Sequence, residues 1–257
     1  MGKYMYHLDL DEDMIEGARY VFLPGDPGRV PLVASKLEDS CQLAFNREFC
    51  TYLGQLEGKK VLVTSTGIGG PSTSIAVEEL AQLGVDTYIR IGSTGAIQKN
   101  IDLKEVVITS GSVRLDGASS HYAPIEYPAV AHHEVIKGLV SASEELGIKA
   151  HVGITASSDT FYTGQERYDS YLGYVRRSLQ GSMEELQKLN VLNYEMESST
   201  VLTMASIFGH RAGCVLGVVV NRTKQEEIDS LVIQKAEENA ISVAVLAMKK
   251  LVKQENT

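Results

Sequence analysis

The feature that most constrains the fold of this chain is a repeated alternation of short β-branched runs with segments of helical periodicity. The β-branched runs predict strands at 20–23, 61–65, 87–91, 106–113, 150–156 and 214–220. Helical patterns lie at 75–83, 198–208 and 231–251. Proline at position 71 suits the first turn of the helix that it precedes. This order predicts an α/β fold with a mixed, largely parallel sheet and helices on both faces.

Size and charge limit the class of protein further. The 257 residues are 44% apolar and show no linker, low-complexity tract or internal repeat, so we expect one domain over 1–257. The net charge of −9 argues against binding to nucleic acid or to an anionic membrane surface. No apolar run has the length of a signal peptide or a membrane span, which predicts a cytoplasmic protein.

Three glycine-rich turns follow predicted strands, at 24–29, 66–70 and 90–95. In open α/β sheets ligands bind beyond the carboxyl ends of the strands, so we expect these turns to meet at one site. The turns lack the G-x-G-x-x-G spacing of dinucleotide-binding proteins, and the chain contains no G-x-x-x-x-G-K-[ST] motif.

Two of these turns carry an arginine, which favours a phosphate ligand. The guanidinium groups of Arg29 and Arg90 supply planar, charge-assisted donors suited to a phosphate dianion. The backbone N–H of Gly25 and the hydroxyls of Ser93 and Thr94 would add further donors.

Two carboxylates stand two residues apart in the segment 193–198, just before a predicted helix. On a regular helix Glu195 and Glu197 would point to different sides, so we expect at most one of them to reach a ligand unless the segment is irregular. A carboxylate that accepts from two adjacent hydroxyls is a usual way to hold a ribose.

The segment 161–168 combines aromatic, amide and guanidinium side chains, as needed to stack on a planar base and bond to its edge. The amide of Gln165 both donates and accepts, and Arg167 donates, which matches the oxygen and nitrogen edge of uracil. Donors at that edge also favour the negative charge that uracil gains as it leaves.

Taken together, the three turns and the segments 161–168 and 193–197 resemble the nucleoside phosphorylase-I family, with 161–168 typical of its uridine branch. The likeness covers nearly the whole chain. It implies a three-layer αβα sandwich assembled as a homohexamer, a trimer of dimers, with active sites shared across the dimer interface. It further implies reversible phosphorolysis of uridine with inorganic phosphate as co-substrate and no required cofactor. Acceptance of deoxyuridine or thymidine stays open.

The resemblance also implies roles for particular positions. Phosphate would be held by Gly25, Arg29, Arg90 and Ser93, with Arg47 supplied by a neighbouring subunit. Ribose would meet Thr94, Met196 and Glu197, with His7 supplied by the neighbour. Uracil would meet Phe161, Gln165 and Arg167, with Arg222 supporting the loop over the base. Family members also hold a monovalent cation such as K⁺ at the dimer interface, and the matching positions are Glu48, Ile68 and Ser72.

Two departures from relatives bear on these expectations. Ser93 stands where threonine is expected, which keeps the hydroxyl but removes a methyl group that restricts its rotamer, so phosphate affinity is expected to fall slightly. The purine branch carries an aspartate in the loop after the last core strand. Here that loop, 220–223, has no acidic residue, which favours a pyrimidine base.

The expected mechanism is displacement at an oxocarbenium-like ribose with bound phosphate as the nucleophile. Arg90, Arg167 and Gln165 are then better catalytic candidates than any carboxylate, because they stabilise developing negative charge. Three alternatives remain: a nucleoside hydrolase on the same scaffold, a nucleoside-sensing module without turnover, and a dinucleotide oxidoreductase. Phosphate-independent cleavage would indicate the first, no cleavage the second, and NAD binding the third.

Overall fold

The computed structural model describes residues 3–224 and 229–255 of the chain. Its strands are β1 (Tyr4–Met5), β2 (Leu10–Asp11), β3 (Tyr20–Pro24), β4 (Glu38–Asn46), β5 (Phe49–Leu56), β6 (Lys59–Thr64), β7 (Thr87–Ala96), β8 (Val106–Leu115), β9 (Ala129–Val130), β10 (Ala150–Ser158), β11 (Val191–Glu195) and β12 (Arg211–Asn221). Its α-helices are α1 (Val30–Ala34), α2 (Gly70–Gln82), α3 (Ala118–Tyr122), α4 (His133–Glu145), α5 (Ser182–Lys188), α6 (Ser198–Phe208) and α7 (Ser230–Glu255).

The strands form a mixed central sheet in the order β11-β10-β8-β12-β7-β3-β6-β5-β4, with β9 added beside β8. Parallel pairing joins β3 to β6 and β7, β7 to β12, and β10 to β8 and β11. The β4–β5–β6 meander and the β8–β12 pair are antiparallel. The strand β11 also pairs with β7, so that β7, β12, β8, β10 and β11 close into a ring.

Helices cover both faces of this sheet and give three layers. Along β3, Tyr20 and Phe22 join a buried cluster that includes side chains of α1, α4 and α7. The alternate residues Val21 and Leu23 join a second cluster, which includes side chains of α2 and α6. This is the alternation expected of a strand that is buried on both faces. The predicted α/β architecture with a mixed sheet is therefore confirmed.

The predicted elements are present, with some boundaries moved. All six predicted strands occur, and β7 continues to Ala96, five residues beyond the predicted end at 91. The helix α6 begins and ends at the predicted residues, 198 and 208. The sequence patterns did not indicate α4, β11 or the long hairpin of β4 and β5. No helix in the described part of the chain is long and apolar enough to cross a membrane.

Close packing of α7 on the sheet predicts a sharp effect of one added methyl group. A Cβ at Gly217 in β12 would lie 2.3 Å from the carbonyl oxygen of Ala236 in α7. We expect Gly217→Ala to lower the free energy of unfolding by about 1–3 kcal/mol, because backbone cannot move aside as a flexible side chain can. Urea denaturation followed by circular dichroism measures this change.

The matched control is Gly138→Ala in α4. A Cβ there would meet its nearest neighbour, the carbonyl oxygen of Ala247, at 3.6 Å, an ordinary contact. Since glycine inside a helix costs roughly 0.5–1 kcal/mol relative to alanine, this control should be neutral or stabilising. Equal stability of Gly217→Ala and the unsubstituted protein would contradict the close approach of α7 to β12.

Candidate active site

A cavity of about 1020 Å³ opens where β3, β7 and β11 end. The glycine-rich turns at 24–29 and 66–70 contribute to its lining, as does the segment after Ser158. The segment 90–95 also contributes, but its prediction as a turn was wrong, because it lies within the strand β7. The first two turns are tied together, because Thr66 N donates to Pro24 O and Gly67 N to Gly25 O, each at 2.9 Å. The three glycine-rich segments therefore meet at one site, as predicted.

The cavity lining includes a buried ion-pair cluster formed by Arg90, Glu195 and Glu197. Arg90, on β7, is only 3% exposed. Its Nε donates to Glu195 Oε2 at 3.0 Å, and its Nη2 donates to Glu197 Oε2. Its third nitrogen, Nη1, is buried and has no hydrogen-bond partner among the described residues. A Cβ placed on Gly25 would lie 3.9 Å from this Nη1, so the unused donor lies beside the first glycine-rich turn.

The two carboxylates of the cluster do not diverge as they would on a helix. Glu195 is the last residue of β11, and Glu197 precedes α6 with a backbone φ of −134°. Glu195 also accepts from the backbone N–H of Glu197 at 2.9 Å and from the Ser198 hydroxyl at 2.6 Å. The segment is thus irregular, and both side chains turn towards Arg90.

The cluster gives its two acids different pKa shifts. Burial raises the pKa of Glu195, but Arg90 and the N–H and O–H donors around it outweigh burial and leave the pKa below its ordinary value. Burial raises the pKa of Glu197, and although Arg90 opposes it, the charge of Glu195 adds to the rise. The remaining oxygen of Glu197 accepts from Gly69 N at 2.6 Å. Glu197 is therefore the easier of the two to protonate.

Arg29 stands at the other side of the first turn, within hydrogen-bond distance of Ser93. Its Nη2 lies 3.3 Å from Ser93 Oγ and 2.7 Å from Glu237 Oε1 on α7. Its Nε is buried and makes no hydrogen bond within residues 3–224 and 229–255. Sequence reasoning brought Arg29 and Ser93 together but missed Glu237. Nothing in the local pattern of α7 marks that residue, because its partner is more than two hundred positions away.

The residues expected around ribose line the cavity in different ways. Met196 is half-buried and Glu197 buried, and both line the cavity beside Arg90. Thr94 also lines it, but its hydroxyl donates to Tyr194 O at 2.6 Å and accepts from Asn193 Nδ2 at 2.7 Å. Its hydroxyl proton is therefore already used to hold β7 to β11, which leaves the oxygen only as a further acceptor.

The residues expected around a base lie close together in the cavity lining. Gln165 and Arg167 are 3% and 9% exposed, and the Arg167 guanidinium carbon lies 4.3 Å from the centre of the Phe161 ring. Arg222 does not line the cavity. Its Nη1 donates to the backbone oxygen of Gln165 at 2.7 Å, so Arg222 holds the backbone of a lining residue without lining the cavity itself.

Two residues expected from a neighbouring subunit do not line the cavity of their own chain. Arg47 is exposed at the turn between β4 and β5, with a backbone φ of +56°. His7 is half-buried, and its Nδ1 lies 2.6 Å from Glu79 Oε1. Neither residue therefore belongs to the cavity that its own chain forms.

The positions expected to hold a cation lie at the rim of the cavity around Gly67. A Cβ on Gly67 would lie 2.8 Å from Glu48 Cγ and 3.0 Å from Ser72 Oγ. The Ser72 hydroxyl donates to the backbone oxygen of Ile68 at 3.2 Å. Glu48, Ile68 and Ser72 are therefore close together, with one carboxylate, one hydroxyl and one carbonyl oxygen among them.

The balance of charge around the cavity is negative. Among its described lining residues the cations are Arg29, Arg90 and Arg167, and the acids are Asp26, Glu48, Asp169, Glu195 and Glu197. Three arginines thus lie among five carboxylates. A doubly charged anion would bind such a site better if a further cation came from outside the chain.

The fold and this cavity are those of a nucleoside-processing phosphorylase, and comparison with known proteins agrees. The chain belongs to the phosphorylase superfamily, whose sequence profile matches residues 19–253. The uridine phosphorylases of Escherichia coli K12 and Haemophilus influenzae are each 53% identical to it over 247 residues, which is 96% of this chain and 98% of each relative. The guanosine phosphorylase of Halorubrum lacusprofundi is 34% identical over 237 residues, 91% of this chain and 92% of that relative.

Proposed function

We propose that the chain is a uridine phosphorylase, a pentosyltransferase that uses inorganic phosphate to convert uridine reversibly to uracil and ribose 1-phosphate. The observation that carries the proposal is that one cavity is lined both by the arginine donors Arg29 and Arg90 and by the pair Gln165 and Arg167, which suits the edge of uracil. The uridine phosphorylases that resemble the chain over nearly its whole length support the same activity. The reaction serves pyrimidine nucleoside salvage and catabolism.

Phosphate is assigned to the part of the cavity formed by the turn at 24–29 and by residues 90–95 of β7. Among residues 3–224 and 229–255, Nη1 of Arg90 and Nε of Arg29 have no hydrogen-bond partner, and a bound oxyanion would satisfy both donors. The N–H of Gly25 and the hydroxyl of Ser93 complete the set. This placement sets phosphate beneath the ribose that Glu197 and Met196 hold.

Uracil is assigned to the part formed by Phe161, Gln165 and Arg167. The Phe161 ring offers a stacking surface, while the amide and the guanidinium address the oxygen and nitrogen edge of the base. These groups bond more strongly as uracil departs with negative charge, so they lower the barrier rather than only bind the substrate. Arg90, Gln165 and Arg167 are accordingly proposed as the catalytic residues, and Glu197 as the residue that orients the sugar.

The loop after β12 supports a pyrimidine substrate. The side chain of Asn221 is buried, and its Nδ2 donates to the backbone oxygens of Gln98 at 2.9 Å and Ile101 at 2.6 Å. Its Oδ1 accepts from Thr223 N at 2.9 Å. The side chain is thus fully used inside the protein, and no acid stands at this position to protonate a purine. Residues 225–228 of the loop lie outside the described part.

The excess of carboxylates around the cavity supports a site shared between subunits. We propose a homohexamer, a trimer of dimers, in which Arg47 of a neighbour supplies the missing positive charge and His7 of the neighbour meets the ribose 5′-hydroxyl. Glu48, Ile68 and Ser72 are proposed to hold a K⁺ ion at the same interface, where it would offset further negative charge. The chain is proposed to work as one domain over 1–257 in the cytoplasm.

The activity itself is tested by following uracil release from uridine by absorbance, with and without inorganic phosphate. We expect cleavage that requires phosphate and yields ribose 1-phosphate, because bound phosphate is the nucleophile. Inosine serves as the parallel substrate and should be cleaved at least about a hundredfold more slowly, since a site built for uracil's edge leaves buried donors unpaired against a purine. Cleavage of uridine without phosphate would identify a hydrolase instead.

The shared site predicts complementation between two inactive variants. Arg47→Ala and Arg167→Ala should each abolish most activity, since each removes a cation from every site. When they are mixed at equal amounts under conditions that exchange subunits, half of the dimers are mixed and each holds one intact site. Recovery should therefore approach about one quarter of the activity of the unsubstituted protein. No recovery, with subunit exchange confirmed by mass spectrometry, would place Arg47 in its own chain's site or outside any site.

A further inference from the structure

Glu166 lies between Gln165 and Arg167, the two residues proposed to bind the edge of uracil, but it does not line the cavity. The Glu166 side chain reaches the start of α5 instead, where its Oε1 accepts from Gly181 N and its Oε2 accepts from Met183 N at 2.7 Å. The hydroxyl of Ser182 lies 3.4 Å from the same Oε2. One carboxylate therefore ties the segment after Phe161 to a part of the chain fifteen residues further on.

The backbone at Glu166 is also unusual. Its φ of +53° lies in the left-handed region, which residues with a side chain rarely occupy unless surrounding contacts hold them there. Glu166 N donates to Thr163 O at 3.2 Å, and Arg167 N donates to Tyr162 O at 2.8 Å. This turn places Gln165 and Arg167, on either side of Glu166, against the cavity.

Resting on the proposed function, we propose that Glu166 is the positioning residue of the uracil site. It does not touch the substrate but fixes the distance and angle between the Gln165 amide and the Arg167 guanidinium. The segment then has two anchors, since Arg222 holds the backbone oxygen of Gln165 and the Glu166 carboxylate holds the next residue to α5. Its hydrogen bonds are to the turn at 163 and to residues 168 and 181–183, not to Arg29 or Arg90. Substitution of Glu166 should therefore weaken the binding of uridine but not the binding of phosphate.

The test is Glu166→Gln, which keeps the size of the side chain but leaves one accepting oxygen for two backbone N–H groups. We expect the KM for uridine to rise about tenfold while the KM for phosphate changes by less than about twofold. The matched control is Glu184→Gln. Glu184 lies on α5, the helix that Glu166 contacts, and its carboxylate is exposed and pairs with Lys188. That control should change neither constant.

The outcomes separate this inference from the proposed function. If the unsubstituted protein does not cleave uridine with phosphate, the proposed function fails, and this inference fails with it. If it does, equal effects of Glu166→Gln on both KM values, or no effect on either, would overturn the inference. Should Glu166→Gln fail to fold, Glu166→Asp keeps both oxygens on a shorter side chain and should give a smaller rise in the uridine KM, again without a change for phosphate. A uridine KM equal to that of the unsubstituted protein, or a matching change for phosphate, would overturn the inference in Glu166→Asp as well.

Discussion

The buried pairing of Arg90 with Glu195 and Glu197 is the interaction on which the candidate site depends. Burying three charged groups is costly, so the cluster persists only where each charge has partners in good geometry. Arg90 and its two partners come from distant parts of the chain. Arg90 lies on β7, whereas Glu195 is the last residue of β11 and Glu197 directly precedes α6. The pairing of β11 with β7, at Asn193 with Ala96 and Tyr194 with Gly95, brings these parts together.

The cluster also explains why one cavity can serve two substrates. Arg90 uses two nitrogens on carboxylates and presents the third beside Gly25, where phosphate is assigned. The carboxylate of Glu197 that pairs with Arg90 is the group assigned to ribose. In the proposed assignment, phosphate and sugar would be held by neighbouring atoms of one buried cluster, which would fix the nucleophile relative to the carbon it attacks. Little further chemistry is then required of the protein, apart from donors aimed at the departing uracil.

Local sequence patterns predicted many elements of this site, but not the long-range contacts that bring them together. The glycine turns at 24–29 and 66–70 and the bounds of α6 follow from residue types and periodicity, whereas the segment 90–95, predicted as a turn, continues the strand β7. The pairing of β11 with β7 and the contact of Arg29 with Glu237 join residues far apart in sequence, where periodicity gives no signal. Whether the segment 193–198 is regular was left open by residue types alone, because tertiary contacts with Arg90 hold it in an irregular form. The roles assigned to Arg47 and His7 need a second copy of the chain and came only from resemblance.

Calorimetric titration of phosphate into Arg90→Lys tests most directly whether Nη1 of Arg90, which has no hydrogen-bond partner among the described residues, binds phosphate. Lysine keeps the positive charge but has one nitrogen, which cannot serve both carboxylates and the anion in a planar fork. We predict that the phosphate Kd rises at least about tenfold, which is 1.4 kcal/mol. The control Arg211→Lys, which alters an arginine paired with Glu134 and Glu255 away from the cavity, should bind phosphate normally. Unchanged phosphate affinity in a folded Arg90→Lys variant would contradict the account.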